Sequence, residues 1–473
     1  MKMKFIFIAI ISGLASMPGA YAQDSAQRDT SAPVAITLDQ ALKIALSENT
    51  SVKVADKEIE RTGFAKKGSY ASLLPQVDLT GTFQRTIKKQ VMYMDFDMSS
   101  LTGGSSSGST ESGSSTSSSS SKSGFAVGRW NTYSGGVAAS MPLVNAQLWK
   151  SIEIAGKDVE LAVEKARSSR LDMVTQVKQA FYGVLLAKEV LSTYKEVYDN
   201  AMTNFDQTRK KYNAQKASEL EFTRAKSTVA NAIPNVYDAE SSVALALWQL
   251  KAVMGVDLDQ NIDVSGNLAD YSGHMFYDIH QNDSISLDCN STMKQLAIQA
   301  EQLAQTVKMQ KYAYLPTLAV TFSYSMNAMN NDFKFNEYKW NPYSYAALSL
   351  SIPVFSGGKK YNDIRQTQAR YDELQLQTLN TERQLKISIR QYLNTMETKM
   401  KSYASAQDAI ETALKAYSIA QKSYEVGRST ITELNDAQLA LTQARLAESQ
   451  AIYEFVVAKS NLEQTLGNDF IGQ

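Results

Sequence analysis

The sequence predicts a mainly α-helical chain with a smaller strand-built part, in which one helix–strand–strand–long helical hairpin unit is used twice. Three observations carry this prediction. Leu74-Pro75-Gln76-Val77 returns as Leu315-Pro316-Thr317-Leu318, and Ser140-Met141-Pro142-Leu143-Val144 returns as Ser351-Ile352-Pro353-Val354-Phe355. Just inside these proline markers lie four stretches that alternate apolar and polar residues. Two further stretches, Gln147–Tyr212 and Tyr361–Tyr424, contain no proline and run far beyond ordinary helix length.

Taken in chain order, residues 1–22 read as an export signal: Lys2 and Lys4, an apolar run from Phe5 to Ala15, then Pro18-Gly19-Ala20-Tyr21-Ala22 with the small-x-small cleavage pattern. The apolar run is too short to span a bilayer as a helix. The first repeat occupies 23–254, a connecting region 255–290 and the second repeat 291–473. A constant offset pairs Tyr212 with Tyr424, Glu221 with Glu433 and Gly255 with Gly467. The first copy is longer between its prolines because fifteen of the twenty-five residues Ser99–Ser123 are serine, a polar loop that cannot bury a core.

The strands are expected at about 76–91 and 130–142 in the first copy and 317–328 and 342–353 in the second. Val77, Leu79 and Phe83 alternate with Asp78, Thr80, Thr82 and Gln84; Leu318, Val320, Phe322, Tyr324 and Met326 alternate with Thr317, Thr321, Ser323 and Ser325. Period-two alternation gives one apolar and one polar face. The stretches are long and are fringed by Tyr93, Trp130, Tyr338, Trp340 and Tyr343, which suits strands that cross a membrane and meet its interface. Their outer connections are Met92–Arg129 and Asn327–Asn341.

Long helices are expected over about 147–212 and 361–424, each returning as a helix over about 219–254 or 430–466. At ~1.5 Å per residue the longer ones extend roughly 100 Å. The returning helices carry a seven-residue seam: Leu434, Leu441, Phe455 and Leu462 with Ala437, Ala444, Ala451 and Ala458, interrupted at Glu448. In the first copy the seam is Phe222, Val229, Val236, Val243 and Leu250 with Ala225, Ala232, Ala239 and Ala246. Four membrane strands cannot close a barrel, and open edges are not tolerated in lipid, so the chain must oligomerise: a dimer supplies eight strands, a trimer twelve.

These residues resemble the TolC-type outer-membrane efflux factors. Ile36-Thr37-Leu38-Asp39-Gln40-Ala41-Leu42-Lys43-Ile44-Ala45-Leu46 is similar to that family's first helix, and Tyr424-Glu425-Val426-Gly427-Arg428-Ser429-Thr430-Ile431-Thr432-Glu433-Leu434 to its helix-tip turn. The resemblance implies a homotrimer with a twelve-stranded barrel in outer-membrane lipid and a helical tunnel through the periplasm. It also implies a periplasmic adaptor (membrane fusion) protein and an inner-membrane pump of RND or ABC type, with no cofactor. The tips Gln215, Lys216, Val426, Gly427 and Arg428 are then the expected adaptor-docking residues. Glu433 and Asp436 are expected to line a gate entrance, with Tyr424 bonded to Glu221 as a latch. Three departures stand out: the first tip, Tyr212-Asn213-Ala214-Gln215-Lys216, lacks the glycine kept at Gly427; the serine-rich loop is longer than the family needs; and Ser429, preceded by Arg428, stands where the family places an arginine.

Composition narrows the function classes. With 48 basic and 48 acidic side chains the chain lacks the charge of a nucleic-acid binder. One cysteine, Cys289, and two histidines, His274 and His280, rule out a disulfide framework and point to no metal centre. No P-loop or nucleophile elbow appears, so an enzyme is not expected. The leading reading is a passive exit duct; the alternative is an exported coiled-coil adhesin or structural fibre, which would have no use for amphipathic strands.

Overall fold

The structure, a computed structural model, describes residues 34–93, 124–276, 286–334 and 337–467. The export signal at 1–22, the serine-rich loop at 99–123 and His280 lie outside the described residues, as does part of the connecting region.

Helices dominate. A short α1 (Leu38–Glu48) leads into α2 (Thr50–Ala71), and α3 (Ala146–Asn213) runs for 68 residues before α4 (Glu219–Met254) returns along it. After α5 (Ser291–Tyr312), the 67-residue α6 (Lys359–Glu425) is followed by α7 (Ile431–Leu466). The seam explains the hairpins. Leu434, Leu441, Phe455 and Leu462 of α7 are buried, together with Ala444, Ala451 and Ala458. On α4 the alanines Ala225, Ala232 and Ala239 are buried, whereas Phe222, Val229, Val236 and Val243 are only half-buried. The difference has a packing cause: α7 lies against both α6 and α3, while α4 packs chiefly on α3.

Each returning helix ends against the start of a shorter one. α4 stops at Gly255 (φ 75°), where an added Cβ would come within 3.0 Å of the Asn49 Cα; Asn49, the N-cap of α2, donates its amide to the Val253 carbonyl at 2.6 Å. α7 stops at Gly467 (φ 73°), where a Cβ would sit 2.1 Å from the Cys289 carbonyl oxygen, and Asn290, the N-cap of α5, donates to the Thr465 carbonyl at 2.6 Å. Only glycine combines the left-handed conformation with so close a backbone approach. Around these joints sits the main core, with Phe181, Leu250, Met254, Leu268, Met275 and Phe455 buried and the short parallel pair β1 (Val34–Ile36) and β6 (Ile262–Val264) at its edge.

At the other end of α2, α3, α5 and α6 the chain forms one antiparallel sheet of β2 (Gln76–Arg85), β5 (Asn131–Val144), β7 (Thr317–Asn330) and β8 (Asn341–Ser351), in the order β2-β5-β7-β8. The register places Leu79, Val137 and Tyr324 side by side, as it does Val77, Ala139, Phe322 and Ala346, so the apolar alternation of the strands builds one continuous apolar face. That face is open: Leu79 is 82% and Leu348 66% exposed. Gly136 is required by the pairing, because a Cβ there would lie 2.6 Å from the Tyr324 carbonyl. Among the described residues β2 and β8 are the edges of this sheet, each paired on one side only.

One expected strand is two. The stretch anticipated at 76–91 stops at Arg85, and β3 (Gln90–Tyr93) pairs separately with β4 (Gly124–Val127). The interruption falls on Thr86-Ile87-Lys88-Lys89, where adjacent cations break the alternation. β5 runs through Pro142 by means of a bulge between Pro142 and Val144, the position at which a sheet tolerates a missing donor. Among the described residues no helix is long and apolar enough to cross a membrane.

Candidate functional site

The two hairpin tips stand at the ends of α3 and α6 farthest from the sheet. They share one backbone solution. In the second tip Gly427 (φ 78°) is left-handed, with Arg428 N–H on the Ser423 carbonyl at 2.8 Å and Gly427 N–H on the Tyr424 carbonyl at 3.1 Å. In the first, Gln215 (φ 56°) takes the same conformation, with Lys216 N–H on the Lys211 carbonyl at 2.8 Å and Gln215 N–H on the Tyr212 carbonyl at 2.9 Å. The glycine missing from the first tip is therefore replaced by a glutamine that accepts the strain, at about 1 kcal/mol. Gln215, Lys216, Val426, Gly427 and Arg428 are all exposed.

Side chains make the tips unequal. Tyr212 is 38% exposed and stacks on Phe222 of its own hairpin at 5.0 Å. Its counterpart Tyr424 is 4% exposed and reaches across to α3. The Tyr424 hydroxyl lies 2.5 Å from the hydroxyl of Thr208, which is fully buried and itself donates to the Asn204 carbonyl at 2.7 Å. Because Thr208 has one proton and it is committed, Tyr424 is the donor. Lys211 completes the contact: its ammonium donates to the Tyr424 carbonyl at 2.5 Å and sits 4.3 Å from the centre of the Tyr424 ring. Burial holds the Tyr424 phenol above its ordinary pKa, and the nearby Glu221 carboxylate adds to the rise. Ala225, Tyr417, Ile431 and Leu434 close around the tyrosine as a small apolar core.

The expected acids are placed by helix capping. Ser218 and Glu221 form a reciprocal box at the start of α4, and Thr430 and Glu433 form the same box at the start of α7. Glu221 accepts from the Ser218 N–H at 3.2 Å and does not bond Tyr424, whose hydroxyl is taken by Thr208. Glu433 accepts from the Ser429 hydroxyl and from the Thr430 N–H at 3.1 Å. The Ser429 contact, followed by the Thr430 N–H, lowers the Glu433 carboxyl below its ordinary value. The position where an arginine was expected thus serves Glu433. Asp436 is exposed one turn further along.

Thr208 and Lys211 were not anticipated from the sequence. Their signal lies in the comparison of the two copies, which have Ala420 and Ser423 at the equivalent places. Among the described residues no group of three His, Cys, Asp or Glu side chains is arranged to hold a metal ion.

The sequence profile of outer membrane efflux proteins matches residues 41–256 and 284–468. The chain belongs to the outer membrane efflux protein family. The outer membrane protein TolC of Escherichia coli is 18% identical over 348 residues, covering 71% of this chain and 70% of that protein. The cobalt-zinc-cadmium resistance protein CzcC of Cupriavidus metallidurans is 23% identical over 318 residues, covering 67% and 72%. The CmeC outer membrane channel of Campylobacter jejuni has the same fold, with a TM-score of 0.67 at 17% identity over 91% of this chain and 85% of that one. The chain is a TolC-type outer-membrane efflux protein, a conduit rather than an enzyme, that reaches from the outer membrane into the periplasm.

Proposed function

We propose that the chain is the exit duct of a tripartite efflux or secretion system, a passive passage from periplasm to exterior built as a homotrimer. The observation that carries this is the sheet: an exposed apolar face on a four-stranded unit with two open edges, joined directly to helices of 67 and 68 residues. Strands of 10 to 14 residues are long enough to cross a bilayer, and lipid does not tolerate unpaired edges. Pairing the β8 edge of one copy with the β2 edge of the next closes three sheets into twelve strands, and the hairpins attached to them continue as a helical tunnel. The two repeats are the two hairpins that each copy contributes to that tunnel.

The tips close the tunnel. Tyr424, held by Thr208 and Lys211 beside Glu221, is the latch between the hairpins, and Glu433 and Asp436 of three copies form a ring of six carboxylates at the entrance that attracts cations. Gln215, Lys216, Val426, Gly427 and Arg428 meet a periplasmic adaptor protein, which couples the duct to an inner-membrane pump of RND or ABC type.

The test is twofold. Detergent-purified protein should have about three times the chain mass and should form channels in a planar bilayer; a monodisperse water-soluble monomer would refute the barrel. Bulky substitution at Gly427, where an added Cβ meets nothing within 4 Å, should abolish efflux without loss of the trimer. Unchanged export by such a variant removes the docking role.

A further inference from the structure

The outer end of the sheet concentrates positive charge that neither duct nor gate uses. β2 follows α2 and β5 leads into α3, so the rung Arg85–Asn131 lies at the end of the sheet away from the helices. Beyond it the Thr86 N–H still reaches the Trp130 carbonyl at 2.8 Å, and regular pairing resumes at Gln90–Val127. Within this short interval stand Arg85, Lys88, Lys89 and Arg129, with no Asp or Glu between Arg85 and Tyr93 or between Gly124 and Asn131. Among the described residues none of the four is in an ion pair. Like charges so close repel one another, and a folded chain gains nothing from gathering them.

Beside the cations is an apolar wall. Phe83 stacks on Tyr133 at 4.8 Å, the Phe333 ring lies 6.4 Å from Phe83, and Tyr338 packs on Tyr133 at 5.4 Å. The register puts Phe83 and Tyr133 on the apolar face, so Phe333 and Tyr338, which follow β7 in the chain, lie against that side of the sheet. The Tyr338 hydroxyl and the Asn131 amide both donate to the Asp332 carbonyl, at 2.5 and 3.0 Å. Charge and wall are one surface: Arg85 lies 5.3 Å over the Phe333 ring and Lys89 4.8 Å over Trp130.

We propose that this surface binds the phosphate-bearing headgroup of an outer-leaflet glycolipid. A soluble anion would leave Phe83 and Phe333, both about half exposed, without a role. A neutral lipid would leave four cations unanswered. A phosphorylated lipid satisfies both, its acyl chains along the aromatic wall and its phosphates on the guanidinium and ammonium groups. Each cation near such a headgroup strengthens binding about fivefold.

The experiment uses the full chain in phosphatidylcholine nanodiscs doped with lipid A carrying two phosphates, or with its dephosphorylated form, and measures retained glycolipid by native mass spectrometry. The protein should retain the phosphorylated form in preference, Arg85→Gln with Lys88→Gln should lower that retention on the order of 25-fold, and the charge-preserving Arg85→Lys with Arg129→Lys should keep it. Equal retention of both glycolipids by the unaltered protein overturns the proposal without recourse to a variant. So does undiminished retention by the glutamine variant, inserted and conducting. Displacement of the lipid by an equal concentration of inorganic phosphate overturns it as well, because the site would then serve a soluble anion.

Discussion

Replacing Lys211 with methionine tests the latch at its strongest contact. Methionine keeps most of the apolar stem against the Tyr424 ring and removes the ammonium. Two interactions go: a charged hydrogen bond at 2.5 Å to the Tyr424 carbonyl and a cation–π contact at 4.3 Å. In isolation these are about 1.5–3 and 0.5–1 kcal/mol. Lys211 is only half-buried, so water screens part of this, and about 2 kcal/mol per chain is the reasoned loss. The Tyr424 carbonyl still accepts from the Gly427 N–H at 3.1 Å, so no orphaned acceptor inflates the figure. A 2 kcal/mol shift moves the closed-to-open ratio roughly 30-fold. Single-channel recording in a planar bilayer should show higher mean conductance for Lys211→Met and a smaller rise, about 1 kcal/mol's worth, for Tyr424→Phe, which loses one neutral hydrogen bond. Lys210→Met, on an exposed neighbour, is the control. If Lys211→Met conducts like Lys210→Met, the contact across the hairpins holds nothing shut.

Other outcomes follow from the same geometry. Gln215→Gly should relieve the left-handed strain and slow amide exchange at the first tip by about 1 kcal/mol, whereas Gly427→Ala should speed it at the second by a similar amount. Gly467→Ala should destabilise the joint by several kcal/mol, more than Gly255→Ala, since its Cβ meets a carbonyl at 2.1 Å rather than backbone atoms at 3.0 Å; proteolysis near Cys289 measures the difference. Glu433, with its carboxyl lowered, stabilises its cap fully above its ordinary value of 4.5 and loses that contribution as pH falls through the lowered value. Glu448 behaves oppositely. Burial first, then the Glu189 carboxylate, raise it, so the fold gains as pH falls through the raised value and the gain is complete below 4.5; Glu448→Gln should flatten that acid-side gain in urea titrations.

Most of the fold was legible because its signals are periodic. The seven-residue seam of α7 and the two-residue alternation of β7 each repeat often enough to be read without a partner sequence, and both became buried seams or single faces. What escaped was set by single contacts between distant segments. Nothing local in Asn49 or Asn290 says that its side chain will close the end of α4 or α7, although the paired glycines Gly255 and Gly467 marked the places. At the tip, the tyrosine was legible and its partner was not. Glu221 was the acid nearest to hand in the pattern, but its carboxylate is held at its own N-cap, and the donor Tyr424 found the fully buried Thr208 instead. A turn-by-turn comparison of the copies shows Thr208 and Lys211 only as departures, with no statement of what they face.

The distribution of contacts along α7 argues for where movement is permitted. Toward the sheet its end is fixed three ways: Gly467 sits against the Cys289 carbonyl, Asn290 closes the Thr465 carbonyl, and Arg167 of α3 donates to the Cys289 carbonyl at 2.6 Å. The main core, with Phe455 and Leu462, surrounds the same half. Further along, α7 keeps its apolar seam with α6, but its side-chain ties to α3 are polar and separate: Arg445–Glu196 and Asn200–Gln438 at 3.4 Å. Apolar seams resist sliding because every displacement opens a void, whereas exposed ion pairs contribute about 0–1 kcal/mol each and re-form with water. In the gate proposed above, the tip of the hairpin α6–α7 moves relative to α3, with resistance at Thr208, Lys211 and Tyr424. The gate proposed at the tips draws support from that gradient: there the polar contacts of Thr208, Lys211 and Tyr424 and one small apolar cluster join the hairpins, while the other end of α7 is held by the joint and the main core.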